Sequence, residues 1–203
     1  MKEPTYVYGD GVFKIEDPLL GIEVSESYDV PELPLPIEEG EEGRIPPGFT
    51  GVAECVRHNR SLKSSMAYRD GVLHGPSYTY FEQGTVASER WYFRGLLHGR
   101  ATDRSVSGQI LCEKGYLEGK LHGPLVRRYP SGKILSTGSF KFGWSDGALK
   151  VLDEEGLLLR STEFKEGRRH GIDEGWTDDG YFLFCEVWEA GEKKRSIVKD
   201  FLL

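Results

Sequence analysis

The chain has 203 residues, 38% hydrophobic and 29% charged, with a net charge of −7; that length fits one ordinary domain, but the apolar content cannot fill a thick core. No run approaches the roughly 18 apolar residues of a membrane-spanning helix, and the first eleven residues lack the basic start and apolar stretch of a secretory signal. Three scattered cysteines, Cys55, Cys112 and Cys185, suggest a reducing, cytoplasmic setting and argue against a disulfide framework or a zinc knuckle.

Residues 1–46 form the first predicted segment, acidic and proline-rich. Through Pro47 there are twelve acids against Lys2, Lys14 and Arg44, a net of −9 that leaves +2 for the remainder, together with seven of the ten prolines. The proline spacing over residues 30–36 favours extended or polyproline-like backbone, and Glu38 to Glu42 reads as a solvated linker. Residues 5–8 and 12–15 have the composition of short strands. Two readings stay open: a flexible acidic tail, or a piece that packs along the sheet or is grasped by a partner. One form of the second folds the acidic segment onto the basic residues 119–142.

Residues 47–191 carry a gap-free repeat of 24 residues. Gly71, Gly95, Gly119, Gly143, Gly167 and Gly191 form one column; Gly75, Gly99, Gly123, Gly147 and Gly171 a second; Gly84, Gly108, Gly132, Gly156 and Gly180 a third. An aromatic column, Tyr68, Tyr92, Tyr116, Phe140, Phe164 and Trp188, keeps the same step, and so do Val86, Ile110, Ile134, Leu158 and Phe182. A worn unit begins near Pro47, since Gly51 lies 24 before Gly75. Polar residues ending in glycine, such as Glu82-Gln83-Gly84, predict hairpin loops, and the runs between them are β-branched and aromatic. Helix is excluded because glycine would recur inside any segment long enough to be stable. The expected fold is therefore all-β: an elongated antiparallel β-hairpin repeat array, each unit leaning on its neighbours because a lone hairpin is marginal. Stacking is expected to set the aromatic column ring beside ring.

The residues Tyr116-Leu-Glu-Gly119-Lys-Leu-His122-Gly123-Pro124, followed by Tyr129-Pro-Ser-Gly132-Lys-Ile134, resemble the variant form of the MORN repeat. Residues 68–76 and 92–99 match that pattern nearly as well; the units at Gly143 and Gly167 are looser, with Asp146 in place of histidine and Ile172 in place of proline. The resemblance spans about residues 60–195. It implies a MORN-like solenoid sheet serving as a protein-interaction or membrane-proximal scaffold, and for bacterial variant-repeat proteins an antitoxin-like role.

Chemistry-bearing residues are sparse. His74, His98, His122 and His170 share a column, but units advance roughly 10 Å each, too far for shared metal coordination at about 2.1 Å. The expected role is a histidine bonding its own glycine turn. No nucleophile elbow or phosphate loop is present, so no enzyme activity, metal or cofactor is expected. Residues 119–142 hold Lys120, Arg127, Arg128, Lys133 and Lys141 with no acid, a net of +5, whereas residues 143–166 sum to −3 and 167–190 to −4. Arg104 and Arg128 share a column with Tyr80, Leu152 and Trp176. That mixture suits a protein partner, with Tyr80, Arg104, Arg127, Arg128, Tyr129 and Trp176 as expected contacts. Nucleic acid is disfavoured by the small patch and acidic chain; peripheral attachment to anionic lipid through the basic residues stays open as a less favoured alternative, opposed by the acidic neighbours.

Residues 192–203 form a C-terminal cap. Ile197 with Phe201 and Val198 with Leu202 are four apart, which predicts a short amphipathic capping helix that blocks the last sheet edge or joins two copies; monomer and homodimer both stay open.

Overall fold

The computed structural model describes residues 3–9, 12–27, 34–41 and 44–198. Their regular elements are eighteen β-strands and no helix. Near the N-terminus come β1 (Thr5–Gly9), β2 (Val12–Asp17), β3 (Ile22–Ser27) and β4 (Leu35–Glu38). The repeats supply β5 (Gly51–Val56), β6 (Leu62–Arg69), β7 (Val72–Tyr80), β8 (Val86–Phe93), β9 (Leu96–Arg104), β10 (Ile110–Leu117), β11 (Lys120–Arg128) and β12 (Ile134–Lys141). They continue with β13 (Trp144–Ser145), β14 (Gly147–Leu152), β15 (Leu158–Lys165), β16 (Arg168–Trp176), β17 (Phe182–Glu189) and β18 (Glu192–Val198). Two compact units result: residues 1–110 with 115–120, and residues 111–114 with 121–203.

The 24-residue period is a hairpin period with a defined turn at each end. Asp70-Gly71, Arg94-Gly95, Glu118-Gly119, Phe142-Gly143, Glu166-Gly167 and Ala190-Gly191 all have positive φ at both positions, the signature of a type I′ turn, whose twist matches that of the strands it joins. The first position of each is a side-chain-bearing residue held left-handed, at a cost of order 1 kcal/mol. The turn amides bond back to the preceding unit: Gly71 N–H donates to the Phe49 carbonyl, Gly95 to Leu73, Gly143 to Leu121 and Gly191 to Arg169. At the opposite edge the loops are wider. Phe81 N–H donates to Thr85 C=O and Gly84 N–H to Phe81 C=O, and the same pair of bonds recurs at 105–109, 129–133, 153–157 and 177–181. In the worn unit Arg60, at φ 66°, takes the glycine position.

In the first unit, β1, β2 and β3 make a small antiparallel sheet. The repeat strands run in the order β9-β8-β7-β6-β5, each antiparallel to the next, and β4 lies parallel to β5 with Leu35 opposite Ala53. Glu39, just past β4, pairs with His58 and Lys63, and the hydrogen bonds from those two groups lower its carboxyl to about 2.

The apolar core lies where the small sheet meets the repeats. Strand β2 alternates inward and outward, and Phe13, Ile15 and Asp17 point in. Phe13, Ile15, Leu20, Ile22 and Trp91 form the buried cluster, flanked by Tyr6, Tyr8, Val24, Phe93 and Leu117. Phe13 is 0% exposed, its ring 4.4 Å from that of His74 and 6.0 Å from that of Phe93. The Tyr6 hydroxyl donates to the buried Asp17 carboxylate at 2.7 Å and accepts from Arg100 N–H at 2.9 Å, while Arg100 Nε donates to Asp17 at 2.8 Å. Burial, with the Asp17 carboxylate next to it, pushes the Tyr6 phenol well above its ordinary value. The acidic N-terminal residues thus include the segment that completes the core. Among the described residues, the contacts of β1–β3 fall on residues of the Tyr68–Leu117 stretch.

The second unit is built differently. Its strands run β11-β12-β14-β15-β16-β17-β18, antiparallel throughout, with β13 also paired to β12. Among the described residues every buried hydrophobic side chain lies at or before Ala101, whereas the second unit buries Ser136, Ser161, Thr162 and Asp173. Asp173, 0% exposed, accepts from Arg160 Nε at 3.0 Å, Arg160 Nη2 at 2.8 Å and Thr162 Oγ1 at 2.8 Å, with Arg169 Nη1 3.3 Å away. Burial alone would raise the Asp173 carboxyl, but hydrogen bonds from Arg160 and Thr162 and the two guanidinium charges outweigh it and hold it below its ordinary value. The arginines lie over the rings of Phe184 and Trp188.

The expected terminal capping helix is not formed. Glu192–Val198 is strand β18, with Ile197 opposite Cys185 and Val198 opposite Phe184. The Ala190-Gly191 turn delivers the chain into the register of one more repeat strand, and the edge of β17 offers it a full ladder, which outweighs a weak i,i+4 pattern too short for an independent helix. Phe201 and Leu202 lie outside the described residues. Among the described residues no ring contact joins two members of the aromatic column: contacts join the small sheet to the repeats, as in Phe13 with Phe93, link a histidine to a turn aromatic, as in His122 with Phe142, or set Tyr68 against Phe49.

Candidate functional site

The histidine column explains how the strained turns are held. Glu118 N–H donates to His98 Nδ1, Phe142 N–H to His122 Nδ1 and Ala190 N–H to His170 Nδ1, at 3.4–3.5 Å. The histidine therefore serves the left-handed residue of the next turn, twenty positions on, and not its own glycine turn. Thr50 Oγ1 replaces it in the worn unit, accepting from Asp70 N–H at 3.0 Å. Among the described residues no cluster of His, Cys, Asp or Glu is arranged to hold a metal ion.

The six expected contact residues are distributed over both units, Tyr80 and Arg104 in the first and Arg127, Arg128, Tyr129 and Trp176 in the second. In the first unit, Tyr80 ends β7 with its ring 6.4 Å from that of Tyr78, and its carbonyl accepts from Arg57 Nη2. Arg104 ends β9, and its Nη1 approaches the Gly108 carbonyl at 3.4 Å. In the second unit, Arg128 reaches Glu113 at 3.4 Å. Arg127, its neighbour along β11, is exposed, and the pairing of β11 with β12 shifts register between the two arginines. Tyr129 sits in the loop after β11, where its hydroxyl donates to the Leu152 carbonyl at 2.9 Å, the same bridge that Arg57 makes to the Tyr80 carbonyl in the same columns three units earlier. Trp176 packs edge-on against Phe182 in its own hairpin, ring centroids 6.5 Å apart. Tyr129 and Trp176 thus have intramolecular work within the repeats.

Two concave sites lie at the type I′ turns, and they occupy equivalent repeat positions 72 residues apart. The first, about 370 Å³, is lined by Arg69, Asp70, Val72, His74 and Arg94 with Glu26 from β3. Glu26 pairs with Arg69 and Arg94, and its carboxylate is 3.5 Å from His74 Nε2. His74 is 3% exposed; burial pushes its imidazole below the ordinary value, against the pull of Glu26. Two tyrosines of β1 seat on glycines of the same columns: a Cβ on Gly75 would lie 2.5 Å from the Tyr8 ring, and one on Gly99 would lie 2.8 Å from the Tyr6 ring. Only a residue without a side chain lets an aromatic ring lie that close to the backbone.

The second concavity, about 710 Å³, lies within the second unit. It is lined by Lys141, Phe142, Trp144, Asp146, Lys165, Glu166, Arg168, His170 and Ala190. Trp144 is 64% and Phe142 51% exposed. Trp144 rests across the next turn, where a Cβ on Gly167 would lie 2.5 Å from its ring, and the Phe142 ring meets His122 edge-on at 4.9 Å. Trp144 is therefore seated on the backbone at Gly167 and Phe142 on the His122 ring. Sequence reasoning named Lys141 only within a basic stretch, Asp146 only as a replaced histidine and His170 only in the histidine column, and did not single out Phe142 or Trp144. The available signal was columnar: Trp144 stands where other units have Val72, Leu96, Lys120 and Arg168, and Phe142 where they have Asp70, Arg94, Glu118 and Glu166. No family model and no curated protein matches this chain.

Proposed function

We propose that the chain is a non-enzymatic, MORN-like repeat scaffold that binds a protein partner on the turn-edge surface of its hairpins. The observation that carries this reading is that the repeats of the first unit already hold another piece of chain, the small antiparallel sheet. Strands β1–β3 lie on them, with rings seated on the glycine columns and a carboxylate between two arginines. A surface of pre-ordered hairpins presents such contacts without the cost of ordering itself on binding. The second unit repeats the same column pattern with exposed aromatic rings, the residue type that dominates binding hot spots. The antitoxin-like role implied by the sequence resemblance, with a toxin as the partner, and the cytoplasmic setting suggested by the scattered cysteines belong to this proposal as its narrower form.

The test is site-specific photo-crosslinking in the native host, with a photoreactive residue at position 144 or at position 157 on the opposite loop edge. A discrete protein adduct from position 144 alone is expected. No adduct, or equal adducts from both positions, refutes the reading.

A further inference from the structure

We propose that the concavity at residues 141–190 is a docking groove for an extended acidic peptide segment of a partner protein, one that sets an Asp or Glu side chain beside an apolar side chain. This rests on the protein-binding reading and specifies the partner's chemistry.

Comparison with the equivalent, filled position is the basis. In the first unit the column cations Arg69 and Arg94 converge on one carboxylate, Glu26, in a strand that also contributes Ile22 and Val24 to the apolar cluster. Moving 72 residues along the repeat turns Arg69 into Lys141, Phe93 into Lys165 and Leu96 into Arg168. The groove therefore keeps one cation of the pattern and gains two. Among the described residues Lys141, Lys165 and Arg168 have no carboxylate within ion-pairing distance. Phe142 and Trp144 supply the apolar surface, raised at the rim and fixed on His122 and Gly167.

The chain's own N-terminal sheet is a poor second occupant here. The partners of Phe13 in the first unit, His74, Trp91 and Phe93, correspond to Asp146, Glu163 and Lys165. Burying the Phe13 ring against three charged groups would strip them of water without pairing them. A lipid headgroup is also disfavoured, since Asp146 and Glu166 line the same groove and repel a phosphate. A peptide can alternate charge to suit both signs.

The test is selection of random dodecapeptides displayed on phage against the full chain, followed by affinity measurement on the best peptide. Expected winners place an acid within two positions of an aromatic or aliphatic residue and lose at least tenfold affinity on Trp144→Ala. They lose a similar factor on Lys141→Glu with Lys165→Glu, and replacing the peptide's acid by lysine restores binding to that charge-reversed variant. The restored pairing keeps the test decisive should any single substitution disturb the fold. Winners that depend on Trp144 but carry no acid overturn the inference while leaving the protein-binding reading intact. Winners indifferent to Trp144, or no enrichment over the bare support, overturn both. Retention of the chain on vesicles of phosphatidylcholine with 30% phosphatidylserine at about 0.15 M salt, abolished by Lys141→Glu with Lys165→Glu, would also overturn it in favour of a lipid surface.

Discussion

Replacing Phe13 by alanine tests whether the N-terminal sheet is part of the core. Phe13 is fully enclosed by His74, Trp91 and Phe93, whose rings lie 4.4–6.3 Å from its own. Truncating such a side chain removes the transfer free energy of a buried benzyl group and leaves a cavity, together about 3–5 kcal/mol. Its neighbour Val12 lies one step along the same strand on the outer face and is exposed, so Val12→Ala is expected to cost less than about 0.5 kcal/mol. The assay is hydrogen exchange in denaturant, read by mass spectrometry on peptides from residues 86–104. Protection there should fall by the full 3–5 kcal/mol in Phe13→Ala and stay unchanged in Val12→Ala, while peptides from residues 158–189 keep their protection in both. Equal, small effects of the two substitutions on residues 86–104 would refute the docking of β2 on the repeats.

Asp173→Ala should destabilise the second unit by about 3 kcal/mol, since it strands Arg160 and Arg169; the estimate sits at the low end for a broken buried pair because both arginines keep partial solvent access, and urea unfolding with tryptophan fluorescence checks it. Because the Asp173 carboxyl is held below its unfolded value, its stabilisation is present above about pH 4 and lost as the pH falls further; the acid limb of the unfolding profile should flatten in Asp173→Asn. His74 and His98 act at a different pH. Burial lowers both imidazoles, so the unfolded chain takes up protons first, and stability should be constant above about pH 6.5 and decline below it; a His74→Gln, His98→Gln chain whose urea midpoint falls as steeply from pH 7.5 to 5.5 would contradict this. Gly75→Ala places a methyl group against Tyr8 and Ala67 at a positive φ, whereas Gly84→Ala meets open space at a similar φ. The first should cost at least about 3 kcal/mol and the second about 1 kcal/mol, measured by thermal unfolding.

The order of strands along the repeats was written in the chain because it is a local property. Gly71, Gly95 and their successors mark turns whose left-handed backbone strongly favours glycine, and the runs between them are too glycine-interrupted for helix and too β-branched to be loop. A 24-residue period without insertions then gives each hairpin the same neighbours. What the period could not convey lies outside it. Residues 5–8 and 12–15 read as short strands in an acidic segment whose packing stayed open; the alternation of Phe13, Ile15 and Asp17 buries them on residues some sixty to eighty positions away because the repeat face offers His74, Trp91 and Phe93 as an apolar seat. The tail at Glu192 has a faint helical spacing, but an unpaired strand edge in register takes it into the sheet. The groove at Trp144 was visible only as a broken column, since exposure of a side chain depends on whether another segment lies over it. Charge counting likewise joined Arg127 to Arg128, whereas the structure leaves Arg127 exposed and half-buries Arg128 beside Glu113. Sequence periodicity determines where this chain turns; which of its repeated surfaces is covered and which is left open is a matter of long-range packing.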